Sequence, residues 1–152
     1  MDLLLSDHVG GPLQLWKVPF TGGSPIQVTT NGGVYAIESD DGRFLYYSKP
    51  FPAGIWKMPL KGGEETQVLD QSVLWCDWVL TRTGIYFIDK DFKPNGRIEF
   101  FDLGSRETTP IFSLEKPASD FGGLAISPDG RSLFYGQTDL DDSYNMLVKN
   151  FR

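Results

Sequence analysis

The hydrophobic and polar positions of this chain follow the same order twice within the first 70 residues. The stretches LQLWKVPFTGGSPIQVTT (13–30) and GIWKMPLKGGEETQVLD (54–70) each place Trp-Lys, an apolar residue and Pro before a Gly-Gly pair and a second strand-like run. Short apolar runs that are bounded by Gly and Pro are typical of β-strands. The pattern therefore predicts a repeated pair of strands that is joined by a Gly-Gly turn.

The same strand pattern recurs along the rest of the chain, at steps of 40, 43 and 48 residues. Its middle position is occupied in turn by Leu15, Ile55, Ile98 and Met146. A second landmark is a glycine that follows a polar turn, at Gly42, Gly84 and Gly130, with spacings of 42 and 46 residues. A period of about 40–50 residues with several strands per repeat is typical of a β-propeller blade.

One repeat divides into four strands, which we label A to D. In the second repeat these strands are placed at 33–39, 43–49, 55–60 and 65–70. Asp41-Gly42 and Gly62-Gly63 are typical of the tight turns that join A to B and C to D. The A strand of the third repeat is placed at 73–80 and the C strand of the last repeat at 145–151.

The predicted fold class is all-β: a β-propeller fragment of about 3.5–4 four-stranded antiparallel blades, or half a propeller, forming one domain over residues 1–152. The repeats 1–30, 31–70, 71–114 and 115–152 contain three, four, four and three strands, fourteen in all. Strands B and C are apolar on both faces, which fits sheets that are packed between neighbouring sheets. No segment has a helical period over ten residues, so no helix beyond a single turn is expected.

The turn motifs carry a resemblance to a known family. The stretches SDDGRFLYYS (39–48) and SPDGRSLFYG (127–136) resemble the WD40-like repeat of TolB-type β-propeller proteins, in which Ser-Pro-Asp-Gly precedes an aromatic strand. The third repeat has LTRTG (80–84) in place of that motif, so a different turn geometry is expected there. The resemblance implies the fold and says little about activity, because such propellers serve as periplasmic scaffolds, as peptidase domains and as bacterial sensor domains.

Location follows only in part from these observations. The family resemblance implies a periplasmic or extracytoplasmic protein. The first residues, MDLLLSD, are too short and too acidic for a signal peptide, and no apolar run approaches the length of a membrane span. The compartment is therefore left open.

Composition narrows the range of partners and chemistry. The net charge of −6, without a cluster of Lys or Arg, disfavours nucleic acid and anionic membranes as partners. The single cysteine, Cys76, excludes an internal disulfide and a Cys-based metal site, and it is expected to be a small buried side chain. The single histidine, His8, would have to serve any histidine-dependent catalytic device.

The strand order places the A–B and C–D turns at one end of the blades and the B–C and D–A loops at the other. The second set is longer and more varied, and binding residues usually lie on such loops. We therefore expect a ligand site on the long-loop face, at the mouth of the central channel. The candidate ligand-binding residues are Trp75, Asp77, Trp78, Asp7, His8 and Asp91.

Each of these candidates has a structural alternative. Trp75, Asp77 and Trp78 are placed in an A strand beside the channel, where aromatic faces and a carboxylate can hold a sugar or a cation. Packing between blades explains the same residues. Asp7 and His8 form the chain's acid/base pair, and a turn would explain them equally.

A weak cation loop is the one metal site that the sequence suggests. Asp139, Asp141, Asp142 and Asn145 supply oxygen ligands at alternating positions, as Ca²⁺ prefers. The loop lacks the Gly and the distal Glu of an established calcium loop, so a solvated acidic loop is the alternative. No cofactor is expected.

Three functions remain open. The first is a non-catalytic module that binds a protein or peptide, or acts as a sensor, and assembles with a second copy. The second is a propeller for a small ligand or carbohydrate, enzymatic or not, and the third is a truncated or engineered repeat fragment whose only property is assembly. A homodimer is expected because two half-rings would close with seven or eight blades and cover their apolar end faces.

Overall fold

The computed structural model of the chain describes residues 2–7 (as backbone), 12–73, 75–119 and 123–137. These residues contain thirteen β-strands and no helix, as the sequence predicts. None of them therefore forms an apolar helix long enough to cross a bilayer. The fourteenth predicted strand, at 145–151, lies outside the described residues.

The strands form four antiparallel sheets in chain order, which we term blades 1 to 4. Blade 1 contains β1 (Asp2–Asp7), β2 (Gln14–Pro19) and β3 (Ile26–Gln27). Blade 2 contains β4 (Ala36–Glu38), β5 (Phe44–Pro50), β6 (Ala53–Pro59) and β7 (Thr66–Leu69). Blade 3 contains β8 (Trp78–Leu80), β9 (Gly84–Asp89), β10 (Arg97–Asp102) and β11 (Thr108–Ser113). Blade 4 contains β12 (Leu124–Ile126) and β13 (Leu133–Tyr135).

Three apolar clusters pack the sheets face to face. Leu15 of blade 1 meets Leu45, Tyr47 and Met58 of blade 2. The other face of blade 2 packs on blade 3 through a larger cluster that includes Tyr46, Ile55, Leu69, Trp78 and Phe87. Blade 3 in turn meets blade 4 through Ile88, Ile98 and Leu124. Both faces of the middle blades are therefore buried, which explains why their B and C strands carry no polar alternation.

Strand register confirms the landmark in the C strands. Leu15 pairs with Ser6, Ile55 with Ser48 and Ile98 with Ile88. In each blade the residue four positions later pairs with the first residue of the B strand: Pro19 with Asp2, Pro59 with Phe44 and Asp102 with Gly84. Leu15, Ile55 and Ile98 thus occupy the same place in three successive sheets.

The two predicted Asp-Gly turns have one geometry. Gly42 and Gly130 adopt φ values of 65° and 70°, and their amides donate to the carbonyls of Ser39 and Ser127 at 2.8 Å in each case. The serine hydroxyl of each turn also donates to the aspartate two residues later. The left-handed backbone that each turn needs is the reason for its glycine.

The A–B turn of blade 3 is different, as expected for the third repeat, and the glycine landmark is wrong there. Thr81 closes the turn by bonding Gly84, whose carbonyl accepts from the Thr81 amide at 2.8 Å. Gly84 is the first residue of β9, so by register it corresponds to Phe44 and not to Gly42. A Cβ atom at Gly84 would lie 2.3 Å from both Phe100 Cζ and the Phe101 carbonyl oxygen. Close packing, and not a left-handed turn, requires this glycine.

The A–B and C–D turns lie side by side at one end of the blades. The Leu60 amide donates to the Arg43 carbonyl, and the Leu103 amide donates to the Thr83 carbonyl, each at 3.0 Å. We term this end the tight-turn face and the opposite end, which carries the B–C and D–A loops, the long-loop face.

Candidate functional site

The segment 75–77 ties three blades together on the long-loop face. Each of its three carbonyls accepts one hydrogen bond. The Trp75 carbonyl accepts from Ser48 Oγ at 3.5 Å, the Cys76 carbonyl from the Leu124 amide at 2.8 Å, and the Asp77 carbonyl from the Ile88 amide at 2.9 Å. These donors belong to blades 2, 4 and 3. The segment therefore has a fixed course at the point where the three sheets converge.

Trp75 is strained and exposed at this point. It was predicted inside an A strand, but β8 begins only at Trp78, and Trp75 lies in the preceding turn. Its φ of 51° lies in the left-handed region, which is a genuine outlier for a bulky side chain. The residue is 50% exposed. A non-glycine residue held in this conformation costs about 1–3 kcal/mol and is often found at functional sites.

Asp77 is buried and paired with a lysine. Its Oδ2 lies 2.9 Å from Nζ of Lys90, which also donates to the Ser119 carbonyl at 3.3 Å. The ion pair joins the D–A segment to the loop after β9 and to the approach to blade 4. The structure thus brings together two of the predicted site residues, Trp75 and Asp77, but it uses the Asp77 carboxylate to fix the scaffold.

Trp78 belongs to the core between blades 2 and 3. It is fully buried, and its ring meets Tyr35 edge-on at a centroid distance of 5.6 Å. Burial raises the pKa of the Tyr35 phenol, and Cys76 raises it further. For Trp78 the alternative of packing between blades is therefore the one that the structure shows.

Cys76 is half-buried, whereas the sequence predicted a small buried side chain. A Cβ atom at Gly123, whose φ is 69°, would lie 2.9 Å from Cys76 Sγ. Blade 4 therefore approaches the thiol closely at its first strand. The cysteine contributes to the contact between blades while it keeps part of its surface open.

The remaining candidates lie elsewhere on the chain. Asp91 is exposed in the turn after β9, where its amide donates to Asp89 Oδ1 at 3.0 Å. Asp7 is the last residue of β1. His8, and the proposed cation loop with Asp139, Asp141 and Asp142, lie outside the described residues. Within the described ranges, no group of three His, Cys, Asp or Glu side chains is placed to hold a metal ion.

Two features of this protein escaped the sequence reasoning. Phe51, in the turn between β5 and β6 on the long-loop face, is 86% exposed. Lys49 is buried against Trp56 and pairs with Glu65. Phe51 lies between Pro50 and Pro52, and because loops run over the protein surface, an exposed ring could have been predicted there. The ion pair left no comparable signal.

The comparison with known proteins concerns the fold. No protein-family model and no curated protein matches the chain. Among solved structures, TolB from Acinetobacter baumannii superposes with a TM-score of 0.69 and 14% identity, over 87% of this chain and 34% of that one. A chain of a nidogen/laminin complex gives 0.65 and 13%, over 82% and 49%. Oligogalacturonate lyase in complex with manganese gives 0.53 and 19%, over 88% and 48%.

The chain is a partial β-propeller. Its four-stranded antiparallel sheets, packed face to face, match those of the TolB and nidogen structures, as the TolB-like repeat predicts. The propeller spans between about a third and half of the length of these structures. At such low identities the similarity extends to the fold alone.

Proposed function

We propose that this partial propeller is a non-catalytic module that binds a protein or peptide partner at its long-loop face. The observation that carries the proposal is Trp75, a half-exposed indole with left-handed backbone, at the start of a segment whose carbonyls accept hydrogen bonds from three blades. A strained backbone conformation persists only where the surrounding structure enforces it, and such residues cluster at functional sites. Trp is also the residue type that most often dominates binding energy at protein interfaces.

Phe51 supports the same face. It lies in the B–C turn of blade 2, and Ser48, three residues before it, donates to the Trp75 carbonyl. Two large exposed aromatic side chains therefore extend from the long-loop face, one from the B–C turn of blade 2 and one from the segment that joins blade 2 to blade 3. Loops on a rigid scaffold with aromatic anchors are the usual form of a binding surface.

The burial of Asp77 and its ion pair with Lys90 favour a binding function over a catalytic one. A general acid or base needs a carboxyl group that can reach a substrate proton. The Asp77 carboxylate is buried and faces the Lys90 ammonium at 2.9 Å, so its charge is neutralised inside the scaffold. What the segment presents to a ligand is the Trp75 ring.

A small-ligand or carbohydrate module is the second candidate, because an exposed indole can also stack on a sugar ring. One structural neighbour of the propeller is an oligogalacturonate lyase. The two candidates differ in the area that a ligand covers. A sugar would need Trp75 alone, whereas a peptide would need Trp75 and Phe51 together.

Assembly with a second copy belongs to the same proposal. Phe134 of β13 is exposed, whereas its neighbours Leu133 and Tyr135 pack on blade 3. Phe134 therefore faces away from blade 3, towards the position that a next blade of a ring would take. A second copy would cover this side chain and extend the ring.

The experiment is affinity selection of a random 12-residue phage-displayed peptide library on the 152-residue chain, followed by fluorescence anisotropy with the synthetic peptides. We expect Trp75→Ala and Phe51→Ala each to weaken binding at least tenfold. Phe20→Ala is the matched control, since Phe20 is an exposed aromatic residue in a C–D turn on the opposite face. Equal binding by wild type and Trp75→Ala would overturn the proposal. Loss with Trp75→Ala but not Phe51→Ala, together with a thermal shift by oligogalacturonate, would favour the carbohydrate module.

A further inference from the structure

Strands β7 and β11 are equivalent outer edges of blades 2 and 3. β7 lies beside β6 at the end of one sheet, and β11 lies beside β10 at the end of the next. Leu69 of β7 pairs with Ile55, and Phe112 of β11 pairs with Ile98. Ile55 and Ile98 hold the same register position in their blades. Leu69 and Phe112 are therefore equivalent residues.

Both edges carry a β-bulge at the same place. The register of each ladder shifts directly before these paired residues, so that one extra residue is inserted, Val68 in β7 and Ile111 in β11. We term the pair Val68 and Leu69 the outer bulge of blade 2, and the pair Ile111 and Phe112 the outer bulge of blade 3. Each consists of two adjacent large apolar side chains.

The two outer bulges differ in burial. Val68 and Leu69 are 4% and 5% exposed, whereas Ile111 and Phe112 are 49% and 46% exposed. Because these residues hold the same places in their own sheets, the difference arises from what packs on the sheets. A contiguous pair of half-exposed large apolar residues is typical of a surface that another molecule covers.

Blade 3 covers the outer bulge of blade 2 with the hairpin that joins β10 to β11. Phe101 of β10 belongs to the same apolar cluster as Val68 and Leu69. Arg106, in the turn of this hairpin, donates from its guanidinium to the Val68 carbonyl at 3.2 Å. The cover thus consists of an aromatic side chain and, five residues later in the chain, an arginine.

The contact between blades 1 and 2 repeats the apolar part of this cover. The Val28 and Thr29 amides both donate to the Leu15 carbonyl, at 2.8 and 3.4 Å, so Val28 also occupies a bulge. Val28 packs on a cluster that contains Met58 of β6. Met58 and Phe101 follow the landmark of their C strands by three residues, so they are equivalent. The chain therefore covers a bulge with a large apolar residue from this position twice.

Arg106 holds a strained conformation in its turn. Its φ is 62°, whereas the equivalent turn positions of blades 1 and 2 are occupied by glycines with positive φ, Gly23 and Gly63. A non-glycine residue in left-handed backbone persists only where the surrounding structure enforces it. The contact of the guanidinium with the Val68 carbonyl is the gain that accompanies this departure from the repeat.

Two observations restrict what can cover the outer bulge of blade 3. By the sequence register, Lys149 stands in the last repeat where Met58 and Phe101 stand in the two repeats before it, so the repeat offers no apolar cover there. Pro110 of β11 has no N–H, and on an edge strand this gap faces outwards. A partner strand that extended the sheet alongside β11 would lose one ladder bond, so a hairpin packed on the face of the sheet fits better.

We propose that the outer bulge of blade 3 is a docking site for a β-hairpin of another protein, with a large aromatic side chain and, five residues later, an arginine. The aromatic ring would cover Ile111 and Phe112 as Phe101 covers the outer bulge of blade 2. The guanidinium would donate to the Ile111 carbonyl, which holds the place of the Val68 carbonyl. The interface would continue the row of packed sheets by one step, on a surface distinct from the long-loop face.

The probe is a labelled hairpin peptide that copies the cover of blade 2, Cys-Phe-Phe-Asp-Leu-Gly-Ser-Arg-Glu-Thr-Thr-Cys. It has the sequence 99–110 with cysteine in place of Glu99 and Pro110, which pair in the ladder, so that a disulfide closes the hairpin. Fluorescence anisotropy with the full 152-residue chain should show saturable binding below 1 mM. Peptides with Ser in place of the second Phe, or with Gln in place of the Arg, should each bind at least fivefold more weakly. Absence of binding by the parent peptide, or equal binding by either altered peptide, would overturn the proposal.

Variants of the protein locate the site. Ile111→Ser and Phe112→Ser should each weaken peptide binding at least fivefold, whereas Ile26→Ser, at an exposed apolar position on the outer strand of blade 1, should not. Because about half of each β11 side chain lies in solvent, both variants should keep a melting temperature close to that of the wild type.

Two results with these variants would contradict the proposal. Unchanged peptide binding by Ile111→Ser and Phe112→Ser would place the peptide elsewhere on the protein. Conversion of a dimer to a monomer by the same variants, seen by light scattering, would assign the outer bulge of blade 3 to a second copy of the chain. Trp75→Ala should bind the peptide normally, which separates this surface from the long-loop site.

Discussion

Nζ of Lys49 lies 2.6 Å from Oε1 of Glu65, and the lysine side chain is only 1% exposed. The Tyr47 hydroxyl donates to the other carboxylate oxygen at 2.5 Å, and the ammonium group lies 4.3 Å from the centroid of the Trp56 ring. Asn31, from the segment that leaves blade 1, also donates to Glu65 at 3.4 Å. A buried charge thus sits at the seam between the first two blades, and it is tolerated because one carboxylate and the aromatic rings compensate it.

The two partners of this ion pair should respond differently to substitution. Glu65→Gln leaves the Lys49 ammonium buried without its counter-charge, which should destabilise the protein by about 3 kcal/mol. Lys49→Met keeps the contact with Trp56 and leaves Glu65 partly solvated and bonded to Tyr47, so the loss should be about 1 kcal/mol or less. Urea unfolding monitored by Trp fluorescence measures both, and equal losses would contradict this view of the pair.

Low pH should reduce the contribution of the Lys49–Glu65 ion pair to the stability of the protein. Burial raises the pKa of Glu65, but hydrogen bonds from Lys49 and Tyr47 outweigh that effect and leave it below its ordinary value. A carboxyl group with a lowered pKa in the folded state stabilises the fold above its unfolded pKa of about 4.3 and loses that contribution as pH falls further. We expect the difference in stability between wild type and Glu65→Gln to shrink between about pH 4.5 and pH 3. A difference that is constant with pH would exclude ionised Glu65 as its source.

High pH should reduce the stability of the protein through the Tyr47 phenol. Burial, followed by the bond to Glu65, raises the pKa of the Tyr47 phenol well above its ordinary value. A raised pKa means that the folded state keeps the proton after the unfolded state has lost it, so stability falls as pH rises above about 10. Tyr47→Phe should remove part of this fall, which chemical unfolding at pH 9 and pH 11 would detect. The same slope in both proteins would assign the alkaline loss to other groups.

Much of the blade architecture was predictable because the apolar strand residues of the repeat occupy the same position in each sheet. The recurrent strand pattern placed Leu15, Ile55 and Ile98 at one register position, and the strand pairings agree with it. A glycine, by contrast, can be required for more than one structural reason. Gly130 is needed for its positive φ and Gly84 for the space that a Cβ atom would fill, and sequence spacing does not distinguish the two reasons.

The candidate site was predictable as a region but not in detail. The long-loop face and the residues Trp75 and Asp77 followed from strand order and residue type. The conformation of Trp75 depends on donors at Ser48 and on blades that lie later in the chain, so no local pattern reveals it. The pairing of Lys49 with Glu65 likewise joins two strands across a whole hairpin. Long-range contacts of this kind decide whether a charged side chain is on the surface or in the core.

Substitutions of Gly130 and Gly84 should destabilise the protein for different reasons. Gly130→Val places a β-branched residue at a φ of 70° and should cost about 1–3 kcal/mol, whereas Gly130→Asn should cost less because Asn tolerates this region. Gly84→Ala forces Phe100 and the Phe101 carbonyl to move and should cost about 1–3 kcal/mol, and Gly84→Asn should cost more. Thermal melting of the four variants tests this opposite ranking. Rescue of position 84 by Asn would contradict the role of close packing.

The 152-residue chain should self-associate in solution. Phe134 faces away from blade 3, and burial of apolar area in a contact between copies is favourable by about 25 cal/mol per Å². Light scattering at micromolar concentration should therefore give about twice the chain mass of 17.0 kDa. Phe134→Asp should abolish the dimer, whereas Phe20→Asp, on the tight-turn face, should not. A well-folded monomer of the unaltered chain would exclude the assembly.

Trp75 offers a test that links stability to binding. Its left-handed backbone costs about 1–2 kcal/mol relative to a residue that tolerates this region, and Asn is such a residue. Trp75→Asn should therefore raise the free energy of unfolding by about 0.5–1 kcal/mol, although a large side chain is removed, because half of that side chain lies in solvent. The same substitution should abolish binding of peptides selected on the long-loop face. Trp75→Ala, which is less suited to left-handed backbone, should lose binding without the gain in stability. If Trp75→Asn instead lowers the unfolding free energy by more than about 1 kcal/mol, the indole is a packing element and the strain is not kept for a ligand.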